Sequence, residues 1–206
     1  MNQEEELENL QFEGLIAGLI NDDFGNCTDF ILPEIIVGLR GNLNALSKAG
    51  DLKSAGIGNK LNYHQNQEIR GDKIHWIDGG SNNEFELIYL QKMEKFMLYL
   101  NKTCFTAIKG FESHYASYGI THIYKRHLDQ FKNENGRKFS TVLYLNDNWV
   151  EEDGGNLSLY PAGKNQVNII PSGGRLVLFR SDEMEHEVQA SNTRNRQSIA
   201  GWMKSD

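Results

Sequence analysis

Cysteine is scarce in this chain: only Cys27 and Cys104 occur among 206 residues. Two cysteines this far apart do not make a disulfide framework, and they lack the spacing of a thiolate metal site. They read as small buried apolar residues of a protein that works in a reducing cytoplasm. Long apolar runs are missing as well. No stretch approaches the ~20 residues that cross a bilayer, so no membrane association is expected. The opening Met1-Asn2-Gln3-Glu4-Glu5-Glu6 is acidic where a secretory signal would be basic. Positive charge is in the minority, with 21 Lys and Arg against 28 Asp and Glu and a net charge of −7. Phosphate contacts dominate duplex affinity, so this balance speaks against a nucleic-acid partner. Internal repeats, low-complexity segments and an interdomain linker are also absent.

Hydrophobic residues make up 39 %, enough for a core at this length. The expectation is one domain over residues 1–206, with a mostly helical supporting segment (1–110) and a strand-rich core (111–206). Leu7, Leu10, Phe12, Leu15, Ile16 and Leu19 approximate a 3.6-residue period over Glu4–Ile20. A second helix begins near Pro33, which suits a first helical turn, and carries Ile35, Ile36, Leu39, Leu43 and Leu46 on one side. Gly50–Asn59 is a loop by composition. A third helix covers Phe85–Thr103, with Leu87, Leu90, Met93, Phe96, Met97 and Leu100 as its buried stripe. Eight short runs follow: His114–Tyr118, Thr121–Asp129, Lys138–Leu145, Asn156–Tyr160, Gln166–Ile170, Arg175–Phe179, His186–Gln189 and Ser198–Met203. They are β-branched or aromatic and are separated by turn residues. The fold class that follows is α+β: a double-stranded β-helix, or jelly roll, with the N-terminal helices packed on one sheet.

The chemistry concentrates in His127, Asp129 and His186. Two neutral imidazoles and one carboxylate are the set that holds non-haem Fe(II) on one face and leaves other positions open. In a strand, residues i and i+2 point to one side, so His127 and Asp129 can grip one ion together. A distant strand must then bring His186. Structural zinc would want four closed ligands. Glu185 and Glu187, which flank His186, read as solvated. Further on, Arg196 can bind a carboxylate bidentately, as a lysine cannot. Arg194 competes for that role, because two residues apart on a regular strand face the same way.

Several blocks resemble the 2-oxoglutarate- and Fe(II)-dependent dioxygenases, in particular the prolyl 4-hydroxylases of the hypoxia-inducible-factor type and their bacterial relatives. Arg70-Gly71-Asp72 followed by Trp76 resembles a segment ahead of that group's core. Tyr124-Lys125-Arg126-His127-Leu128-Asp129 resembles its iron-ligand strand, and Tyr144-Leu145-Asn146-Asp147-Asn148-Trp149 another strand. Gly154-Gly155-Asn156-Leu157 with Pro161, then His186-Glu187-Val188 and Arg196 through Trp202, complete the pattern. The likeness spans roughly Gly50 to Lys204, and the Arg196-to-Trp202 spacing favours Arg196 over Arg194. It implies Fe(II) on His127, Asp129 and His186, and the distal carboxylate of 2-oxoglutarate on Arg196 and the Tyr144 hydroxyl. It places Tyr118 and Leu157 in the co-substrate pocket and Tyr124 near the target proline. Arg70, Asp72 and Trp76 would shape the substrate entrance, although a turn closed by an ion pair is an equal reading of that segment. The implied reaction uses O2, releases succinate and CO2, and hydroxylates a prolyl C4, with ascorbate as reductant. The translation factor EF-Tu is the first protein substrate to try. Hydroxylation of a free amino acid or another small metabolite is the alternative, and a non-catalytic metal-binding sensor is a third. Departures are the short loop between Tyr118 and Tyr124, Gly173-Gly174 before Arg175, and the loop Lys132–Arg137.

Overall fold

A computed structural model describes residues 3–56, 68–130 and 136–205. The end of the expected Gly50–Asn59 loop, His64 and most of the Lys132–Arg137 loop lie outside the described residues. The elements run α1 (Gln3–Asp22), β1 (Phe24–Cys27), α2 (Pro33–Ala49), β2 (Lys53–Ser54), β3 (Asp72–Ile77), α3 (Glu84–Cys104), β4 (Gly110–Tyr118), β5 (Tyr124–His127) and β6 (Arg137–Tyr144). There follow β7 (Leu157–Tyr160), β8 (Val167–Ile169), β9 (Leu176–Arg180), β10 (Glu185–Val188) and β11 (Arg196–Lys204).

Local signals explain the helix ends. Pro33 stands in the first turn of α2, and Gly50 closes it in the left-handed conformation, its N–H on the Leu46 and Ser47 carbonyls. The Asn83 side chain accepts the Phe85 and Glu86 N–H groups and caps α3. The buried faces differ in detail from the expected stripes. On α1 the face is Phe12, Leu15 and Ile16, while Leu7 and Leu10 are exposed. One turn before Phe12 that face carries Glu8, which pairs with Lys95 of α3. On α3 the face centres on Tyr89, Met93, Phe96 and Leu100, and it also buries Glu86, which accepts from Asn42 and Ser81.

Two antiparallel sheets face one another. The larger has the order β1-β9-β6-β11-β4-β3-β2 and the smaller β5-β10-β7-β8. The three helices pack on the outer face of the larger sheet, where Tyr115, Leu143, Leu178, Ile199 and Met203 meet Phe12, Leu39, Met93 and Phe96. A second apolar cluster fills the space between the sheets, with Tyr118, Tyr144, Val177 and Phe179 facing Leu157, Leu159 and Val188. This is the expected jelly roll with helices on one sheet, and all eight expected strands are present within a few residues.

The first 110 residues are less purely helical than their sequence suggests. They supply β1 at one edge of the larger sheet and β3 and β2 at the other. The β1 sequence, Phe-Gly-Asn-Cys, carries two residues of low strand propensity. It is a strand because α1 lies against it: a Cβ on Gly25 would sit 2.3 Å from the Leu15 carbonyl oxygen. The cysteines also differ from expectation. Cys27 is half-buried, and Cys104, at the end of α3, is exposed.

Candidate active site

Strand register brings the two imidazoles together. β10 pairs with β5 so that His186 stands directly opposite His127, with ring centroids 4.3 Å apart. The third group does not lie on the strand, as expected from its spacing. β5 ends at His127, and Asp129 sits in the bend beyond it. The turn still returns its carboxylate to the imidazoles, with Oδ1 3.5 Å from His127 Nε2 and Oδ2 3.7 Å from His186 Nε2. Two donors each ~2.1 Å from one ion stand at most ~4.2 Å apart, so both separations suit a shared metal. All three ligand atoms lie within 4.8 Å of one another.

The backbone fixes the ring tautomers. His127 Nδ1 lies 2.7 Å from the Lys125 carbonyl oxygen, and His186 Nδ1 lies 3.0 Å from that of Met184. A carbonyl only accepts, so each Nδ1 must carry the proton. Each Nε2 then presents a lone pair toward Asp129. Burial pushes His186 down to about 4, so it is neutral near pH 7. Burial alone would raise the Asp129 carboxyl, but the charge that the two imidazoles take up in acid and the Ser140 hydroxyl hold it well below the usual carboxylate range. Two imidazole nitrogens and one carboxylate are the donor set that a ferrous ion takes.

The second half of the site is a buried cation. Arg196 opens β11 and is 1 % exposed. Its Nε donates to the Gly155 carbonyl at 2.9 Å and its Nη1 to the Ser198 hydroxyl at 3.3 Å. Its Nη2 is buried and has no hydrogen-bond partner among the described residues, and the same holds for the Tyr144 hydroxyl. The guanidinium lies 5.0 Å from the Tyr144 ring and 5.3 Å from that of Tyr118. Burial pushes both phenols up, so both are protonated donors. Leaving such donors unpaired costs roughly 1–3 kcal/mol each, and a carboxylate would satisfy both. The donor set thus fits an acid anchored at its far end, with iron ligands at the other. Leu157 is fully buried in the same apolar cluster and forms a wall.

The backbone gives Arg194 and Arg196 different surroundings. Arg194 lies in the bend before β11, not on the strand, so the two arginines do not share a face. Its guanidinium reaches out to Asp153 and to the Asp147 and Asn148 carbonyls.

Of the remaining predicted residues, Tyr124 and Arg70 stand beside His127. The Tyr124 ring stacks on that of His127 at a centroid distance of 3.6 Å, and the Arg70 guanidinium covers it at 4.7 Å. Arg70 grips the buried Asp72 through two bonds, of 2.7 and 3.1 Å, so the ion pair expected on one reading of this segment is formed. Asp72 and Trp76 lie on the same face of β3 as register neighbours of Tyr118 and His114. Trp76 is half-exposed and stands near His114 and Trp202, at 5.0 and 6.1 Å. His114 was not singled out from sequence, since its setting depends on tryptophans from two other strands. Burial, aided by the Arg70 charge, pushes it down to about 4. Trp202 Nε1 is buried without a partner among the described residues, and Arg137 lies 3.8 Å above its ring. Of the two glutamates beside His186, Glu185 pairs with Arg126 on the surface, and Glu187 is half-buried and accepts from Tyr160.

Comparison with known proteins agrees with this geometry. Residues 113–204 match the 2OG-Fe(II) oxygenase superfamily. Human Egl nine homolog 1 is 35 % identical over 145 residues, which are 66 % of this chain and 33 % of that protein. The chain therefore spans about a third of that relative's length. A Pseudomonas putida prolyl-4-hydroxylase structure superposes with a TM-score of 0.84 at 31 % identity, covering 95 % of this chain and 99 % of that one. A Trichoplax adhaerens prolyl hydroxylase, solved with a peptide of the hypoxia-inducible-factor oxygen degradation domain, gives 0.87 at 28 % identity over 98 % and 92 %. With a match at this identity over nearly the whole of both chains, the chain belongs to the 2-oxoglutarate- and Fe(II)-dependent oxygenases, among the prolyl hydroxylases.

Proposed function

We propose that this protein hydroxylates a prolyl residue of a protein substrate at C4, consuming 2-oxoglutarate and O2 and releasing succinate and CO2. One observation carries the co-substrate part: two buried donors, Arg196 Nη2 and the Tyr144 hydroxyl, lack partners in the cluster behind an iron-ligand triad. Bound Fe(II) would supply the oxidising chemistry, since no side chain can attack an unactivated C–H bond. His127, Asp129 and His186 would hold the ion on one face and leave the rest to the co-substrate and oxygen. Arg196 and Tyr144 would fix the far carboxylate, so that the oxo-acid end meets the metal in one orientation. Tyr118 and Leu157 would exclude water from the pocket. Tyr124, stacked on His127 and covered by Arg70, would stand beside the target proline, and the Arg70–Asp72 pair would hold it in place. Ascorbate is the reductant expected to keep the iron ferrous.

The likeness to prolyl hydroxylases supports a prolyl target, and the translation factor EF-Tu is the first protein to try. A cytoplasmic location suits the two unpaired cysteines. The test is incubation of the Fe(II)-loaded protein with 2-oxoglutarate, ascorbate and host lysate, followed by peptide mapping. Hydroxyproline at one site, with succinate in equal amount, is the expected result. A +16 mass shift confined to free amino acids or metabolites would move the substrate class. Iron binding with 2-oxoglutarate left unconsumed would identify a sensor.

A further inference from the structure

We propose that Arg194 and Asp153 form a clasp on the outside of the barrel that aims the Arg196 guanidinium, making Arg194 a positioning residue for co-substrate affinity. The inference rests on the reading above, in which Arg196 binds a carboxylate.

The aim of Arg196 depends on one acceptor. Its Nε is held by the Gly155 carbonyl, and its buried Nη2 is left without a partner among the described residues. Wherever the Gly155 carbonyl moves, the guanidinium follows. Gly155 lies at the end of an irregular segment, and both it and Gly154 have φ of +68°. The room there is tight: a Cβ on Gly155 would stand 3.2 Å from Trp149 and 3.4 Å from Arg196.

The β7–β10 pairing runs on in register through residues 153–156 and 189–192, and beyond it side chains close the segment. Asp153 is the hub. Its carboxylate accepts the Val150 N–H at 3.0 Å, the Thr193 hydroxyl, and Arg194 Nη2 at 2.6 Å. Arg194 closes the other side, donating to the Asp147 carbonyl at 2.8 Å and to the Asn148 carbonyl at 2.6 Å. It also lies 4.7 Å over Trp149, whose indole N–H donates to the Gly154 carbonyl at 2.9 Å. Two backbone bonds, Gly155 N–H to Ala190 and Asn192 N–H to Asp153, complete the union. One guanidinium thus ties residues 147–155 to residues 190–196, and the Gly155 carbonyl is fixed by their junction. The clasp is two residues from Arg196 in sequence but touches neither the metal ligands nor the pocket.

The test separates aiming from general loosening. Fe(II)-loaded protein is titrated without oxygen, by its charge-transfer absorbance, against 2-oxoglutarate and against pyruvate, which has the chelating end but no far carboxylate. Arg194→Gln should raise the 2-oxoglutarate dissociation constant roughly tenfold, the scale of one charged hydrogen bond, and leave that of pyruvate within about twofold. Asp153→Asn should do the same, and the double variant should be no worse than the weaker single one. Arg194→Lys should recover part of the loss, since it restores the charge but not the two-carbonyl grip. Lys164→Gln, which breaks a distant pair with Asp23, should change neither ligand. Equal weakening of both ligands, or additive singles, would overturn the clasp. So would wild-type-like 2-oxoglutarate binding by Arg194→Gln. A wild-type protein that takes up no 2-oxoglutarate at all would instead overturn the carboxylate reading on which the clasp depends.

Discussion

The two ends of the site are built on opposite principles. The metal end lies on the smaller sheet, where neighbouring strands set His186 against His127 and a turn returns Asp129 to them. Its groups face one another, and each imidazole is oriented by a carbonyl two residues back in its own chain. The carboxylate end opens the central strand of the larger sheet. There a single buried cation keeps a donor without a partner among the described residues, and its orientation is supplied by the Gly155 carbonyl just ahead of β7. A ligand set made by strand pairing is local and stiff. On the reading proposed above, an anchor aimed by one carbonyl would be adjustable, and affinity for the co-substrate would change there without disturbing the metal ligands.

The largest break in this comparison is at the metal end. His127→Ala or Asp129→Ala should cost at least about a thousandfold in succinate formation, because two remaining donors hold Fe(II) poorly and leave it misoriented. Iron content after desalting checks the cause. An Asp129→Ala variant that keeps its iron and its turnover would remove this residue from the ligand set.

Acid should separate the two ends. His186 and His114 are each held near 4 against an ordinary 6.5. Between those values the unfolded chain binds protons that the native protein refuses, so stability falls as pH drops from 6.5 toward 4 and levels off below. Each shift corresponds to up to about 3 kcal/mol. Chemical denaturation of the metal-free protein at several pH values measures the slope, and His114→Met should flatten it. Arg196 carries its charge throughout that range, so acid has no purchase on the anchor. A His114→Met protein with an unchanged slope would show that this imidazole charges in the fold.

Arg196→Ala comes next. The concentration of 2-oxoglutarate needed for half-maximal turnover should rise about a hundredfold, with iron affinity unchanged, and Tyr144→Phe should raise it about fivefold. Arg196→Lys should recover little, because an ammonium cannot hold the Gly155 carbonyl and a carboxylate with fork geometry. Initial rates over a range of co-substrate concentrations give the ranking. A larger effect from Arg194→Ala than from Arg196→Ala would exchange their roles.

The same contrast explains what could be read in the sequence. The triad was legible because it needs only residue chemistry and paired strands, and its one error, Asp129 lying past the strand end, left the geometry intact. Choosing Arg196 over Arg194 was harder. Period-2 reasoning put both on one face, and only the bend at Asn192-Thr193-Arg194 separates them. The Asp153–Arg194 pair left no trace, because its partners are 41 residues apart and joined by loop closure. His114 was hidden for a similar reason: two tryptophans, one on β3 and one on β11, create its setting. Among the elements, β1 was missed because packing against α1 overrides the low strand propensity of Gly25 and Asn26.

The smallest effect sharpens the comparison from the side of the metal end that faces away. Glu185 adjoins His186, yet alternation along β10 turns it outward, where it pairs with Arg126. Both side chains are close to half-exposed, at 47 % and 48 %. Water screens such a pair, and ordering two long side chains offsets most of the attraction, so its worth is about 0.2–1 kcal/mol. Glu185→Gln should therefore lower the thermal midpoint slightly and leave iron content and the 2-oxoglutarate requirement unchanged. If it instead weakened iron binding severalfold, the orientation of His186 would depend on the outer face of the smaller sheet as well as on the Met184 carbonyl, and the metal end would be less self-contained than strand pairing makes it.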